Sequence, residues 1–259
     1  MTWTTRPRSE VSGLPAVVAG QGVDVLMLHG VGLCADAWAP QIDVLARHGY
    51  GVMATDMPGH GGSDAAPGAD LSDYVRPLAA ALEGPVVVIG HSMGAMIALA
   101  LAEAAPDKVV GVVAMNAIFQ RSPEAAAAVQ ARASALDGAS LPDPEPTLHR
   151  WFGEADTPAR RACDAWLRAV HPAAYKSAYT TFASEDGPSP ELLAALDCPA
   201  LFVTGAEEPN STPAMSEAMA RHAPKGSAMV IDGAAHMLPM THHTVISDIL
   251  CGFAARCLP

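Results

Sequence analysis

Val86-Val87-Val88-Ile89-Gly90-His91-Ser92-Met93-Gly94-Ala95 is the stretch on which the rest of the chain is read. After Pro85, the apolar run Val86–Ile89 suits a buried strand, and Met93–Ala104 suits an apolar helix that Pro106 closes. Between them, Gly90-His91-Ser92-Met93-Gly94 fits G-x-S-x-G in the strand–turn–helix setting that the motif requires. A strand turning sharply into a helix strains the backbone at its apex, and side chains two positions to either side collide. Both of those positions are glycine here. Ser92 is then a candidate nucleophile whose hydroxyl projects at the helix N-terminus. The free N–H of Met93 points the same way, and the helix dipole favours a developing oxyanion there.

Outward from this turn, short β-branched runs alternate with Ala-rich helical runs. Strands are expected at Val23–Leu28, Gly51–Thr55, Val86–Ile89, Val109–Met115, Ala200–Thr204 and Ala228–Ile231. Helices are expected at Ala37–Arg47 (N-cap Asp36), Asp73–Leu82 (capped near Ser72 or Asp70), Met93–Ala104, Pro213–His222 and His243–Arg256. This order implies an α/β fold, a parallel sheet with helices on both faces. From Ala117 to Asp197 no buried strand is legible. Helical pieces are separated by Pro-rich joints such as Pro142-Asp143-Pro144-Glu145-Pro146, and seven of the 13 aromatic residues fall here. The simplest account is a core of 1–116 and 198–259 interrupted by a helical insertion, 117–197.

Half of the 259 residues are hydrophobic and 16% are charged, which excludes wholesale disorder. A net charge of −12 disfavours nucleic acid and anionic membrane surfaces as partners. The five cysteines form no CxxC pair and fit neither a disulfide framework nor a zinc knuckle; a reducing cytoplasm suits them best. Met1–Arg8 is followed by no apolar segment of the secretory type, and Met93–Ala102 is too short to span a bilayer. No metal or organic cofactor is implied, since HExxH, a P-loop and a Schiff-base lysine are all missing. A homo-oligomer is left open.

A serine nucleophile needs a neutral imidazole to take its proton and a carboxylate to hold that imidazole. Of ten histidines, His236 alone lies late in the chain just past the last strand, after Asp232-Gly233-Ala234-Ala235. The acid should follow an intervening strand. Glu208, third after Gly205 and ahead of Pro209, is preferred; its neighbour Glu207 comes next and Asp232 third. Asn116, at the end of Val109–Met115, is well placed but carries no charge. Glycines on both sides of Val31 let its N–H turn inward as a second oxyanion donor beside Met93. His29 is expected to tether that loop, and Asp56 and His60 to belong to a tight turn beside the pocket.

Taken together, these residues resemble the α/β-hydrolase superfamily. The matching elements are His29-Gly30-Val31-Gly32 with Trp38, Asp56-x-Pro58-Gly59-His60-Gly61-x-Ser63, Gly90-His91-Ser92-Met93-Gly94, Gly205-x-x-Glu208 and His236. The resemblance implies a mostly parallel eight-stranded sheet with a helical cap inserted after the sixth strand. By position it makes Ser92 the nucleophile, His236 the base, Glu208 the acid, and Val31 and Met93 the oxyanion donors. Members of this type usually carry Asp where Glu208 stands, and many have Glu where Thr241 stands. The cap aromatics Trp151, Phe152, Trp166, Tyr175 and Tyr179 then suggest an apolar pocket for a small acyl compound, cleaved as an ester through an acyl-enzyme.

Three other readings stay in view. A lactonase or a carbon–carbon bond hydrolase would use the same triad, although the latter often has Trp where Met237 follows the histidine. A weakly catalytic ligand receptor would keep the fold and the pocket. Gly30-Val31-Gly32-Leu33-Cys34-Ala35 with Asp56 imitates a dinucleotide fingerprint. A helix beginning only after Asp36 argues against that oxidoreductase reading.

Overall fold

Four consecutive buried apolar residues, Val25–Leu28, form a strand covered on both faces, and the structure builds outward from it. The structure, a computed structural model, describes residues 3–258. Eight strands form one sheet: β1 (Ser9–Val11), β2 (Leu14–Ala19), β3 (Val25–Leu28), β4 (Val52–Thr55), β5 (Val86–His91), β6 (Val109–Met115), β7 (Ala200–Gly205) and β8 (Gly226–Ile231). Their order is β1-β2-β4-β3-β5-β6-β7-β8. The β1–β2 and β2–β4 pairs are antiparallel and every other pair is parallel. The six strands expected from the sequence are all present. The two N-terminal ones follow only from the family resemblance, because Ser9–Val11 is a short, mostly exposed edge strand and Leu14–Ala19 beside it is half-exposed and carries Pro15.

Alternation along the strands sends side chains to two cores. Leu26, Leu28, Val88 and Val112 pack against α2 (Leu71–Ala81), α3 (Met93–Ala104), α8 (Pro190–Ala195) and α9 (Pro213–His222). Val25, Met27, Ile89 and Val113 pack against α1 (Ala39–Arg47) and α11 (His243–Cys257). The short α10 (Leu238–Thr241) leads into α11. Asp70, not Ser72, caps α2, accepting from the Asp73 N–H at 3.2 Å. Asp36 is not an N-cap. It lies within a 3-10 turn, Ala35–Trp38, that precedes α1, and its carboxylate is taken up by Arg6 and Arg8.

Between β6 and β7 the chain forms α4 (Pro123–Ser134), α5 (Glu145–Phe152), α6 (Pro158–Ala169), α7 (Pro172–Ser184) and α8, with no strand among them. The prolines that break this segment mark where its helices begin. Pro123, Pro158, Pro172 and Pro190 are each the first helical residue, and Ser122, Thr157 and Ser189 cap three of those helices. No described helix is long and apolar enough to cross a membrane.

Strand order reverses between β3 and β5: the chain leaves β3 for β4 on one side and β5 for β6 on the other. In an open α/β sheet, the crevice at the carboxyl ends of two such strands is where ligands bind.

Candidate active site

Ser92 sits at that crevice with φ +58° and ψ −119°, a left-handed backbone that a non-glycine residue adopts only under constraint. The constraint is visible in its neighbours. A Cβ at Gly90 would strike the Gly94 carbonyl, and one at Gly94 would strike the Leu28 carbonyl. The Ser92 N–H donates to Met115 O at 2.8 Å, which ties the turn to β6. The Ser92 hydroxyl enters no hydrogen bond among the described residues and lines a cavity of about 380 Å³.

His236 lines the same cavity. Its Nδ1 lies 3.0 Å from Oε2 of Glu208, whose other oxygen accepts from the N–H groups of Asn210 (2.8 Å) and Ser211 (3.3 Å). Burial pushes the Glu208 carboxyl up, but His236 and the two amides outweigh it and bring it down to about 2. A carboxylate on Nδ1 leaves Nε2 as the free basic nitrogen. Glu207 and Asp232, the two rival acids, are both exposed, whereas Glu208 is 3% exposed. The extra methylene of glutamate is taken up by a turn in which its own following amides hold it. The His236 carbonyl accepts from His91 Nε2 and from Asn116 Nδ2, both at 2.7 Å. Asn116, the uncharged candidate, therefore holds the histidine's backbone and not its ring. Burial, then the nearby His236, lowers His91 to about 3, so it is a neutral donor.

The loop after β3 passes beside Ser92: a Cβ at Gly30 would stand 3.1 Å from the Ser92 Cβ. The N–H groups of Val31 and Met93 find no acceptor among the described hydrogen bonds. His29 tethers this loop, with Nδ1 donating to Gly30 O (2.8 Å) and Nε2 accepting from the Met57 N–H (3.0 Å). Asp56 accepts from the N–H groups of Ala35 and Gly62, each at 2.8 Å. Arg8 bridges Asp56 and Asp36, so that its one positive charge is shared between two buried carboxylates. Sequence reading passed over Arg8, because it lies in an edge segment 28 residues from one acid and 48 from the other. The dinucleotide reading fails on this geometry: the helix begins at Ala39 and not at the glycines, and Asp56 is already engaged.

Of the five aromatics expected around the pocket, Trp151, Tyr175 and Tyr179 line it. Trp151 stacks on the His236 ring at 5.5 Å with 20° between planes. Phe152 and Trp166 do not line it; they pack in a satellite cluster with Cys163 and Leu167. The wall is also less apolar than the aromatics imply. Asn210, Ser211 and Thr212 contribute from the β7–α9 loop, and Arg121, Arg132 and Arg150 from the inserted segment. Sequence reading did not single out these arginines, since the direction of a side chain on a short surface helix depends on packing elsewhere. No group of three or more described His, Cys, Asp or Glu residues forms a cluster able to hold a metal ion.

A sharply bent serine, a carboxylate-held histidine and two unpartnered amides thus border one crevice at the switch point. Residues 25–249 match the Alpha/beta hydrolase family, and the chain belongs to that family. It is 38% identical over 229 residues to the (E)-2-((N-methylformamido)methylene)succinate hydrolase of Acinetobacter baylyi, with 86% of each chain covered. It is 30% identical over 250 residues to the pimeloyl-(acyl-carrier protein) methyl ester esterase of Xanthomonas campestris pv. campestris, covering 92% of this chain and 97% of that one. Its backbone matches the malate-bound thermophilic esterase from Thermogutta terrifontis with a TM-score of 0.84 and 26% identity, covering 98% of this chain and all of the other. The protein is an enzyme of the hydrolase class.

Proposed function

We propose that the protein is a serine hydrolase that cleaves an acyl bond, an ester or an N-acyl group, of a small molecule through an acyl-enzyme. The observation that carries this reading is Ser92, held at φ +58° in one cavity with a histidine whose Nδ1 is held by a buried carboxylate. Ser92 Oγ attacks the carbonyl carbon while His236 Nε2 takes its proton. The tetrahedral oxyanion rests on the Val31 and Met93 amides. As the carbonyl re-forms, the leaving oxygen or nitrogen departs with the proton from His236. Water then adds with the same histidine as base, and the acid is released with Ser92 restored. Glu208 holds the imidazole in the Nδ1–H tautomer and stabilises the imidazolium.

In this reading residues 117–197 are a cap over a core of 1–116 and 198–259. A cytoplasmic setting is supported by five free cysteines. The Acinetobacter relative's name specifies an N-acyl enamine of succinate, and the Xanthomonas relative's a methyl ester. Both names specify an acyl group bonded to nitrogen or oxygen, which supports acyl-bond cleavage by this chain. Activity is expected to fall on the acid side, because an imidazolium cannot act as base. The test is hydrolysis of p-nitrophenyl acetate by the wild type and by Ser92→Ala. Loss of turnover to the background rate supports the proposal, and retained turnover removes it.

A further inference from the structure

The chain has 27 acidic and 15 basic residues, yet among the described residues no acid lines the cavity that holds Ser92 and His236. The arginines among its lining residues are Arg121, Arg132 and Arg150. None of the three is within ion-pair distance of a described carboxylate, whereas Arg76, Arg160, Arg161 and Arg168 in the surrounding helices all are.

Each of the three is positioned by neutral groups. Arg121 Nη2 donates to Phe182 O at 3.2 Å, its Nη1 donates to Glu185 O, and its guanidinium lies 4.7 Å from the centre of the Phe182 ring. Arg132 Nε donates to Tyr179 Oη at 3.0 Å. Arg150 Nη2 donates to Thr147 Oγ1 at 2.9 Å. Carbonyls, a ring face and hydroxyls fix a guanidinium's direction without cancelling its charge. Burial works against the charge of Arg121, which lies partly withdrawn from solvent, and the more distant Asp186 and Glu185 offset this only in part. Of the three only Arg121 is partly buried, Arg132 and Arg150 being exposed, and a guanidinium without a carboxylate partner gains most from an anion that brings it two oxygens.

The geometry points to a carboxylate-binding wall: Arg121, Arg132 and Arg150 select an acyl substrate that carries two carboxylate groups apart from the bond cleaved. The inference rests on the hydrolase reading for the word substrate, but the wall itself is a binding site whether or not Ser92 reacts. Three positive charges without a carboxylate partner exceed the single negative charge of one carboxylate, and a dianion matches them better. A cavity of about 380 Å³ suits a compound of succinate size with a short acyl or alkyl group. The overall charge of −12 opposes such an anion at a distance. At physiological salt that field is screened beyond about 8 Å, so the local wall decides.

The test separates binding from turnover. Calorimetry on Ser92→Ala is run with succinate, butyrate and succinamide, which share a carbon chain and carry two, one and no charges. Succinate is expected to bind at least about tenfold more tightly than butyrate, and succinamide least. Arg132→Gln and Arg150→Gln, both at exposed positions, are each expected to weaken succinate by about tenfold and succinamide little. Arg121→Lys, which keeps the charge but not the fork, covers the case in which a larger change at this half-buried site unfolds the chain. It should weaken succinate while leaving the far-UV spectrum unchanged. Equal affinity for succinate and butyrate overturns the claim of two carboxylates. Succinamide binding as well as succinate, or succinate binding unmoved in all three arginine variants, overturns the wall. In a parallel assay, p-nitrophenyl hemiglutarate should outpace p-nitrophenyl valerate in kcat/KM, and the ratio should shrink in the arginine variants. If neither ester is hydrolysed while succinate binding follows the arginines, the hydrolase reading fails and the wall stands.

Discussion

The loops after β3 and β5 and the helices between β6 and β7 meet at one cavity, but they are built by opposite rules. At the switch point nearly every position is dictated by the backbone. Gly90 and Gly94 admit the bend, Ser92 takes a left-handed φ, and His29 and Asp56 tie the neighbouring loop through main-chain amides. In the inserted segment the backbone is ordinary helix, and what matters is which side chains of α4, α5 and α7 turn inward. The first region fixes the chemistry by local strain and the second sets the cavity wall by tertiary packing. A change in one should therefore affect catalytic rate, and a change in the other should affect choice of substrate.

The largest expected effects lie at the switch point. Ser92→Ala and His236→Ala are each expected to lower kcat by about 10⁶-fold, and the double variant by little more, since the two act as a unit. Glu208→Gln should cost about 10⁴-fold, while Glu207→Gln, at an exposed neighbour, stays near wild type in the same steady-state assay. If the two glutamates exchanged these outcomes, the assignment of the orienting acid would have to move by one residue. Stability sharpens the comparison next. Ile97 in α3, the helix that follows the bent turn, is 1% exposed, so Ile97→Ala should cost about 2–5 kcal/mol in urea unfolding. Phe152 and Trp166 are only partly buried in the satellite cluster, and trimming either to alanine should cost less.

Acid unfolding gives a smaller, signed effect. The Glu208 carboxyl is held at about 2 in the fold against an ordinary 4.5. The unfolded chain therefore binds that proton first as pH falls. The contribution is fully present above about pH 4.5 and is lost progressively toward pH 2, in total about 3 kcal/mol. Glu208→Gln should accordingly show a shallower loss of stability between pH 5 and 2.5 than the wild type. A parallel loss in both would contradict the sign.

The same contrast explains what could be read in advance. The six inner and C-terminal strands and the bend at Ser92 follow from residues whose local sequence leaves few alternatives, whereas for the acid facing His236 Glu207 and Asp232 stay open beside Glu208. Gly205 permits the close passage of Ala234, and the two short turns beyond β7 and β8 then face each other. The half-exposed strands β1 and β2 lack such a pattern. Asp36 looks like a helix cap, yet its carboxylate serves Arg8 and Arg6, partners about 30 residues away that no local pattern specifies. The aromatics of the insertion split between cavity and satellite cluster because helical spacing does not say which face a short helix presents. One signal in the sequence does bear on the arginines. Arg76 and Arg168 have an acid three or four residues earlier, with which they pair, whereas Arg132 sits in an alanine-rich helix with no acid three or four positions away on either side.

Treatment with a fluorophosphonate, followed by peptide mapping of the adduct by mass spectrometry, tests the central claim most directly. A single phosphonyl group on the peptide containing Ser92, formed slowly in His236→Ala and absent from Ser92→Ala, is the predicted result. A protein that stays unlabelled, or one labelled elsewhere while Ser92 remains free, would contradict it.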